Sequence, residues 1–197
     1  MQPTIPGEAE GKRNAIEAVI EQIQAGDKQS YHAIIIQFER QMYTYCYYIL
    51  KNHAETEDAV QEIFIRAYEH LHQYKRQVSF SAWLYKMAYH HLINIKKKQS
   101  RFLNLIEHCK EQQPVMQISQ HESVVYELLT YLTAEERHIL LLKAVEQYTF
   151  EEISEIMGLK SATVRKKYER LRHKLMDRIS QKGAVAHETV AGTNGIR

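Results

Sequence analysis

Proline and glycine are scarce, three and seven in 197 residues, and runs of alternating apolar and polar residues bounded by turn residues are all but missing. A β-rich chain needs both, so what remains is an all-helical chain. Cysteine is scarcer still. Cys46 lies in the aromatic stretch YTYCYYIL and Cys109 in a polar one, without CxxC spacing, which argues against a disulfide framework. No stretch approaches the roughly 18 consecutive apolar residues of a membrane span, and the start MQPTIPGEAEGKR has no apolar segment behind a basic one. Neither secretion nor membrane insertion is therefore expected, and the reading is a cytoplasmic protein. Histidine is plentiful at eleven, yet His70/His72, His90/His91 and His108/Cys109 form none of the HExxH or CxxC-type spacings that put ligands on one helix face. No metal and no cofactor are expected.

What is present is the profile of a soluble globular protein, 44% apolar and 25% charged, long enough for two small helical domains. A polar extension, 1–12, precedes a helical pattern from Arg13 that carries Ile16, Val19, Ile20 and Ile23 and stops at Ala25 to Asp27. A longer amphipathic stretch runs from about Gln29 to Lys51. Asn52, with Glu55 three positions on, reads as a capping box opening a helix to about Tyr74. After the loop KRQVS, a fourth helix runs from Phe80 to about Gln99. These make one helical domain, 13–101. Periodicity weakens over 102–120, read as a flexible linker, and a second domain spans 121–180, where Thr133 with Glu136 and Thr149 with Glu152 form two more capping boxes. The remaining tail, 181–197, lacks periodicity and reads as disordered.

The charge is segregated. In FEEISEIMGLKSATVRKKYERLRHKL, Phe150, Ile153, Ile156 and Met157 share one side of a short helix, Gly158 permits a turn, and Ser161 can cap a second helix. This is a helix-turn-helix layout. In the second helix Val164, Tyr168, Leu171 and Leu175 repeat as a core stripe, while Thr163, Lys166, Glu169, Arg170 and His173 turn the other way. Between Ser161 and Arg178, seven basic residues (Arg165, Lys166, Lys167, Arg170, Arg172, Lys174 and Arg178) face only Glu169 and Asp177. A charge run is usually a solvated face, but ordinary exposed helices balance glutamate against lysine at i,i+4 spacing. Uncompensated positive charge beside such a turn suits a helix laid in the DNA major groove.

The first domain carries two stripes. On the helix wheel of DAVQEIFIRAYEHL, Val60, Ile63, Phe64, Ala67, Tyr68 and Leu71 form the buried face, and Asp58, Gln61, Glu62, Ile65 and Glu69 lie opposite. An isoleucine in an acidic, amide-bearing surface fits a protein-binding face. In the next helix Phe80, Leu84, Met87, Ala88, His91 and Ile95 face inward. Trp83, Lys86, His90, Asn94 and Lys97 form a separate stripe that mixes an aromatic, hydrogen-bonding groups and cations, as a surface for unpaired nucleic acid does. Trp83 also reads as a partly buried packing residue.

AETEDAVQEIFIRAYEHLHQY followed by SFSAWLYKMAYHHLINIKKK, then a linker, then LTAEERHILLLKAVEQYTFEEISEIMGLKSATVRKKYERLRHKL resembles a bacterial sigma factor of the extracytoplasmic-function (ECF) group. The resemblance covers roughly Gly26 to Met176. It implies an all-α fold of two small helical domains with a C-terminal helix-turn-helix, and a non-enzymatic role in transcription initiation with core RNA polymerase and promoter DNA as partners. It further implies that Asp58, Gln61, Glu62 and Ile65 dock on core polymerase. Lys75, Trp83, Lys86, His90, Asn94 and Lys97 would recognise and help open the −10 element. Thr163, Arg165, Lys166, Glu169 and Arg170 would read the −35 element. Relatives are often held by an anti-sigma factor, so a monomer when free, or a 1:1 complex, is expected. The chain departs from the family pattern at His90 and Asn94, where Asn and Asp are usual. It departs again at Ala162, where the turn commonly ends in Gly-Thr-Val, and at Lys166 and Lys167, where a Ser-Arg pair is common. A rival reading is a dimeric helix-turn-helix regulator with an N-terminal sensing domain; a hydrolase built on the histidines is a distant third.

Overall fold

The computed structural model describes the backbone of residues 6–106 and 128–191, and side chains at 11, 13–101 and 128–180. The described residues are helical and connecting, without strands. The elements are α1 (Pro6–Gln24), α2 (Tyr31–Leu50), α3 (His53–Glu69), α4 (Phe80–Ile106), α5 (Ala134–Leu140), α6 (Phe150–Met157) and α7 (Ser161–Ala191), with single 3-10 turns at Lys28–Ser30 and Leu71–Gln73. They divide into two compact units, the first centred on α1–α4 and the second on the later helices.

In the first unit α2 packs against both α3 and α4, which also touch each other. The core is a column of α2 residues (Ile34, Phe38, Met42, Tyr45, Cys46, Ile49) at helical spacing, met by Ala59, Ile63 and Ala67 from α3 and by Phe80, Leu84 and Leu92 from α4. Tyr45 meets Tyr85 edge to face at 5.0 Å, and Phe38 meets Phe80 at 5.7 Å, within the range in which aromatic pairs attract. Burial pushes the Cys46 thiol up to about 12, which leaves it an inert core residue. Asn52 caps α3 by accepting from the Glu55 backbone N–H at 3.1 Å. The reciprocal half of that capping box does not form. The Glu55 carboxylate instead accepts from Gln99 Nε2 at 2.8 Å and so ties the start of α3 to α4.

The inward face of α4 is displaced from the helical-wheel reading. Phe80, Leu84 and Ala88 are buried as expected, but Met87, His91 and Ile95 are only half-buried, and Ala82, Tyr85 and Leu92 complete the core. The reason is that α4 faces two helices, so its buried arc is wider than one stripe and centred elsewhere. Tyr68, expected inside, is exposed, with its ring 4.9 Å from that of Tyr31.

In the second unit both expected capping boxes are complete: Thr133 with Glu136 opens α5, and Thr149 with Glu152 opens α6. Each cap contributes about 1 kcal/mol. Helix α5 continues into a π-helical turn, Leu141–Val145, closed by Gln147 at φ 61° and by Tyr148 N–H donating to the Leu142 carbonyl. Gly158 ends α6 at φ 67°, a conformation that costs L-residues roughly 1–2 kcal/mol. Ser161 does not cap α7. It lies in the first turn, and its hydroxyl donates to Glu151 Oε1 at 3.0 Å, latching the two helices of the helix-turn-helix. Ile139, Leu142, Ile153, Val164 and Leu171 are fully buried. Helix α7 runs on to Ala191 and α4 to Ile106, so regular structure extends beyond both expected domain ends, into the 102–120 and 181–197 segments. The rest of the linker and residues 192–197 lie outside the described residues.

Candidate nucleic-acid interface

Helix α7 presents its cations in two sets. Lys167 Nζ lies 2.6 Å from Glu135 Oε2, and Lys174 Nζ 3.4 Å from Glu136 Oε2, so α5 neutralises one flank of α7. Glu136 stays below the usual carboxylate range, because hydrogen bonds from Thr133 and the Lys174 charge outweigh its partial burial. Arg165 is held by α6: its guanidinium lies 5.3 Å from the Phe150 ring centre and 3.7 Å from Glu151. Lys143 sits 4.9 Å from the same ring, and Arg178 stacks 4.5 Å from the Tyr131 ring. Lys166, Arg170 and Arg172 are exposed and have no carboxylate partner among the described residues.

The expectation of an uncompensated basic helix is therefore corrected. Compensation comes from α5 and α6 rather than from within α7, and Lys166 and Arg170 share one exposed side of the helix. Of the five candidate reading residues, Lys166, Glu169 and Arg170 are exposed on this side, Arg165 is exposed but braced by Phe150 and Glu151, and Thr163 is half-buried in the first turn. The role of Phe150 was not legible in sequence, because fifteen positions separate it from Arg165.

In the first unit the α4 stripe forms as expected. Lys86, His90, Asn94 and Lys97 are exposed at spacings of four, four and three, and Lys75 is exposed in the loop before α4. Trp83 is half-buried against Tyr74 and Phe80, with ring centres at 5.4 and 5.5 Å. It anchors the upper end of the stripe and shows only part of its surface. Burial, then the neighbouring Lys86 charge, lowers the His90 pKa, so its imidazole is neutral near pH 7 and can both donate and accept.

On α3, Asp58, Gln61 and Ile65 are exposed, Ile65 at 53%, and Glu62 is half-buried in an ion pair with Arg66 at 2.6 Å. That hydrogen bond holds the Glu62 carboxyl below its ordinary value. Ile65 is not an isolated apolar residue. With Tyr68, Phe64, Tyr31, Ile35 and Gln61 it lines an open groove of about 790 Å³ between α2 and α3. Placing Tyr68 inside had hidden this groove from the sequence reading.

Sigma-70 region 2 matches residues 34–102 and sigma-70 region 4 matches residues 123–175, together well over half of the chain. This chain is an ECF-type sigma factor of the sigma-70 family. Among similar proteins, the ECF RNA polymerase sigma factor SigW of Bacillus subtilis (strain 168) is 27% identical over 79% of this chain and 92% of its own length. SigX of the same organism is 25% identical over 76% and 89%. The sigma-E factor of Haemophilus influenzae is 24% identical over 83% and 94%. In fold, the sigma factor chain resembles the solved structure of RpoE in complex with the anti-sigma factor NepR from Bartonella quintana, with a TM-score of 0.68, 15% identity, and coverage of 77% of this chain and 98% of that one. It also resembles the structure of CnrH in complex with the cytosolic domain of CnrY, with a TM-score of 0.65, 17% identity, and coverage of 83% and 96%. The region 2 match takes in α3 and the α4 stripe, and the region 4 match takes in α5, α6 and the first half of α7, to residue 175. No helix among the described residues is long and apolar enough to cross a membrane.

Proposed function

We propose that this sigma factor docks on core RNA polymerase through the α3 face of Asp58, Gln61, Glu62 and Ile65, opens promoters at the −10 element with the α4 stripe, and reads the −35 element with α7. The observation that carries the reading is the sorting of charge on α7. Lys167, Lys174 and Arg165 are spent on holding the helix-turn-helix together, and Lys166, Arg170 and Arg172 are left for a polyanion. Phosphates would be neutralised by these cations, while Glu169 and Arg170 reach base edges.

Magnitudes decide how the work is shared with polymerase. Unstacking DNA costs about 1.4 kcal/mol per base-pair step, and stacking one unpaired base on an aromatic side chain returns about 1–3 kcal/mol. One captured base near Trp83 therefore offsets one or two steps, enough to nucleate an opening and too little to sustain a bubble alone. Lys75, Lys86 and Lys97 would hold the strand backbone, with His90 and Asn94 offering donors and acceptors to the bases. Core polymerase would supply the remaining stabilisation and the catalytic site, and this chain would perform no covalent chemistry.

The two solved sigma factors are complexes with NepR, an anti-sigma factor, and with the cytosolic domain of CnrY, which supports an anti-sigma factor as a further partner here. The chain would then be a monomer when free and 1:1 with its partner when held, in the cytoplasm. The test is promoter-dependent transcription with purified chain and bacterial core polymerase, together with permanganate probing of unpaired thymines. Initiation and melting that require both components are expected. Stable core-independent binding to a palindromic duplex, with no initiation, would overturn the reading in favour of a dimeric regulator.

A further inference from the structure

Helix α1 precedes the region 2 match, and its sequence explains only its apolar side: Ile20 and Ile23 are buried in the first unit. Residues such as Ala15, Ala18 and Gln22 face solvent, but the polar side chains of α1 do not all do so. Asn14, Glu17, Glu21 and Gln24, at spacings of three, four and three, lie on one stripe, and all four engage the segment between α3 and α4. Gln24 Nε2 donates to the Leu71 carbonyl at 2.8 Å and lies 3.4 Å from the Tyr74 carbonyl. Glu17 is almost wholly buried and accepts from the Tyr74 hydroxyl at 2.7 Å. Asn14 accepts from Arg76 at 3.1 Å, and Glu21 lies 3.8 Å from the same guanidinium. The segment's own hydrogen bonds include one 3-10 turn, Gln77 N–H donating to the Lys75 carbonyl at 2.7 Å and the Tyr74 hydroxyl 2.8 Å from the Val78 carbonyl, and α1 adds the contacts above to these.

The grip has a direction. Tyr74 is the pivot: its hydroxyl is held by Glu17, and its ring packs on Trp83 at 5.4 Å and Phe80 at 5.5 Å. Lys75 and Arg76 follow it in sequence. The polar stripe of α1 thus fixes, through Tyr74 and Arg76, where Trp83 and Lys75 stand at the upper end of the α4 stripe. A surface that captures an unpaired base must be held in place before the base arrives, because disorder there is subtracted from the binding energy.

We infer that Glu17 and Gln24 are positioning residues for promoter opening: α1 holds the 71–78 segment in the conformation that receives the melted −10 strand. This rests on the −10 role proposed above for α4. The alternative is that α1 simply stabilises the unit, in which case every activity of that unit would fall together.

The experiment uses the chain bound to core polymerase and a fluorescent single-stranded oligonucleotide carrying the non-template −10 sequence of a promoter mapped by transcript 5′ ends. Glu17→Ala and Gln24→Ala are expected to weaken oligonucleotide binding roughly fivefold to tenfold, the effect of losing one intramolecular hydrogen bond. Association with core polymerase should stay within about twofold, since α3 is untouched. Glu17→Gln keeps an acceptor for Tyr74 and should recover most of the binding. Gln24 is exposed, so its variant tests the idea even if Glu17→Ala fails to fold. Unchanged oligonucleotide binding in the folded variants would overturn the inference, as would a parallel loss of polymerase association or a Glu17→Gln variant as weak as Glu17→Ala. Failure of the unaltered holoenzyme to bind the oligonucleotide would instead remove the −10 assignment itself, and the inference with it.

Discussion

The division of cations on α7 makes a quantitative prediction about salt. Each phosphate neutralised by a protein cation contributes about 0.9 to the slope of log affinity against log salt, so a fourfold rise, from 50 to 200 mM, weakens binding by about 3.5-fold per contact. Lys166 and Arg170 are exposed, with no carboxylate partner among the described residues. Replacing both by alanine should therefore remove about twelvefold of the salt-induced loss, and Arg170→Ala should further cost about 1–3 kcal/mol if it reaches a base. Lys167 lies on the same helix with the same charge, but its ammonium is 2.6 Å from Glu135. Lys167→Ala should leave the salt slope unaltered and lower folding stability by about 0.2–1 kcal/mol, the range for a partly exposed pair. The assay is fluorescence anisotropy of the polymerase holoenzyme on a duplex −35 fragment across a series of salt concentrations, with denaturant unfolding of each free variant alongside. A Lys167→Ala holoenzyme whose slope falls as far as that of Lys166→Ala would refute the reasoning, because the ion pair would then not be diverting that charge from DNA.

Two further outcomes are expected. Ile65→Glu adds a carboxylate to an acidic face at an exposed position in the α2–α3 groove, so association with core polymerase should drop at least tenfold in a competition assay while the helical circular dichroism is unchanged; equal association would move the docking surface elsewhere. Burial, with the adjacent Arg137 charge, pushes the His138 imidazole from 6.5 down to about 3. The unfolded chain takes up that proton and the folded one does not, so this contribution is fully present above pH 6.5 and is lost as pH falls. Between pH 7.5 and 5 the loss amounts to about 2 kcal/mol at 1.36 kcal/mol per pKa unit. Denaturant midpoints at the two pH values, compared with those of His138→Leu, check it: the variant should lack that part of the pH dependence.

What the sequence determined by itself was whatever depends on neighbours within one or two helical turns. The Thr133/Glu136 and Thr149/Glu152 capping boxes, the glycine at the α6 end, the α7 stripe of Val164 and Leu171, and the exposed spacing of Lys86, His90, Asn94 and Lys97 are local patterns, and local geometry makes them. Tertiary structure decided where the same residue types had distant partners. Glu55 left its capping box for Gln99, forty-four positions away; Lys167 and Lys174 found Glu135 and Glu136, thirty-two and thirty-eight positions away; Tyr68 left the core to pair with Tyr31; and the polar stripe of α1 met Tyr74, fifty-seven positions from Glu17. A helix wheel fixes the direction of a side chain about its own axis, but only the packing of one helix on another fixes what stands in that direction.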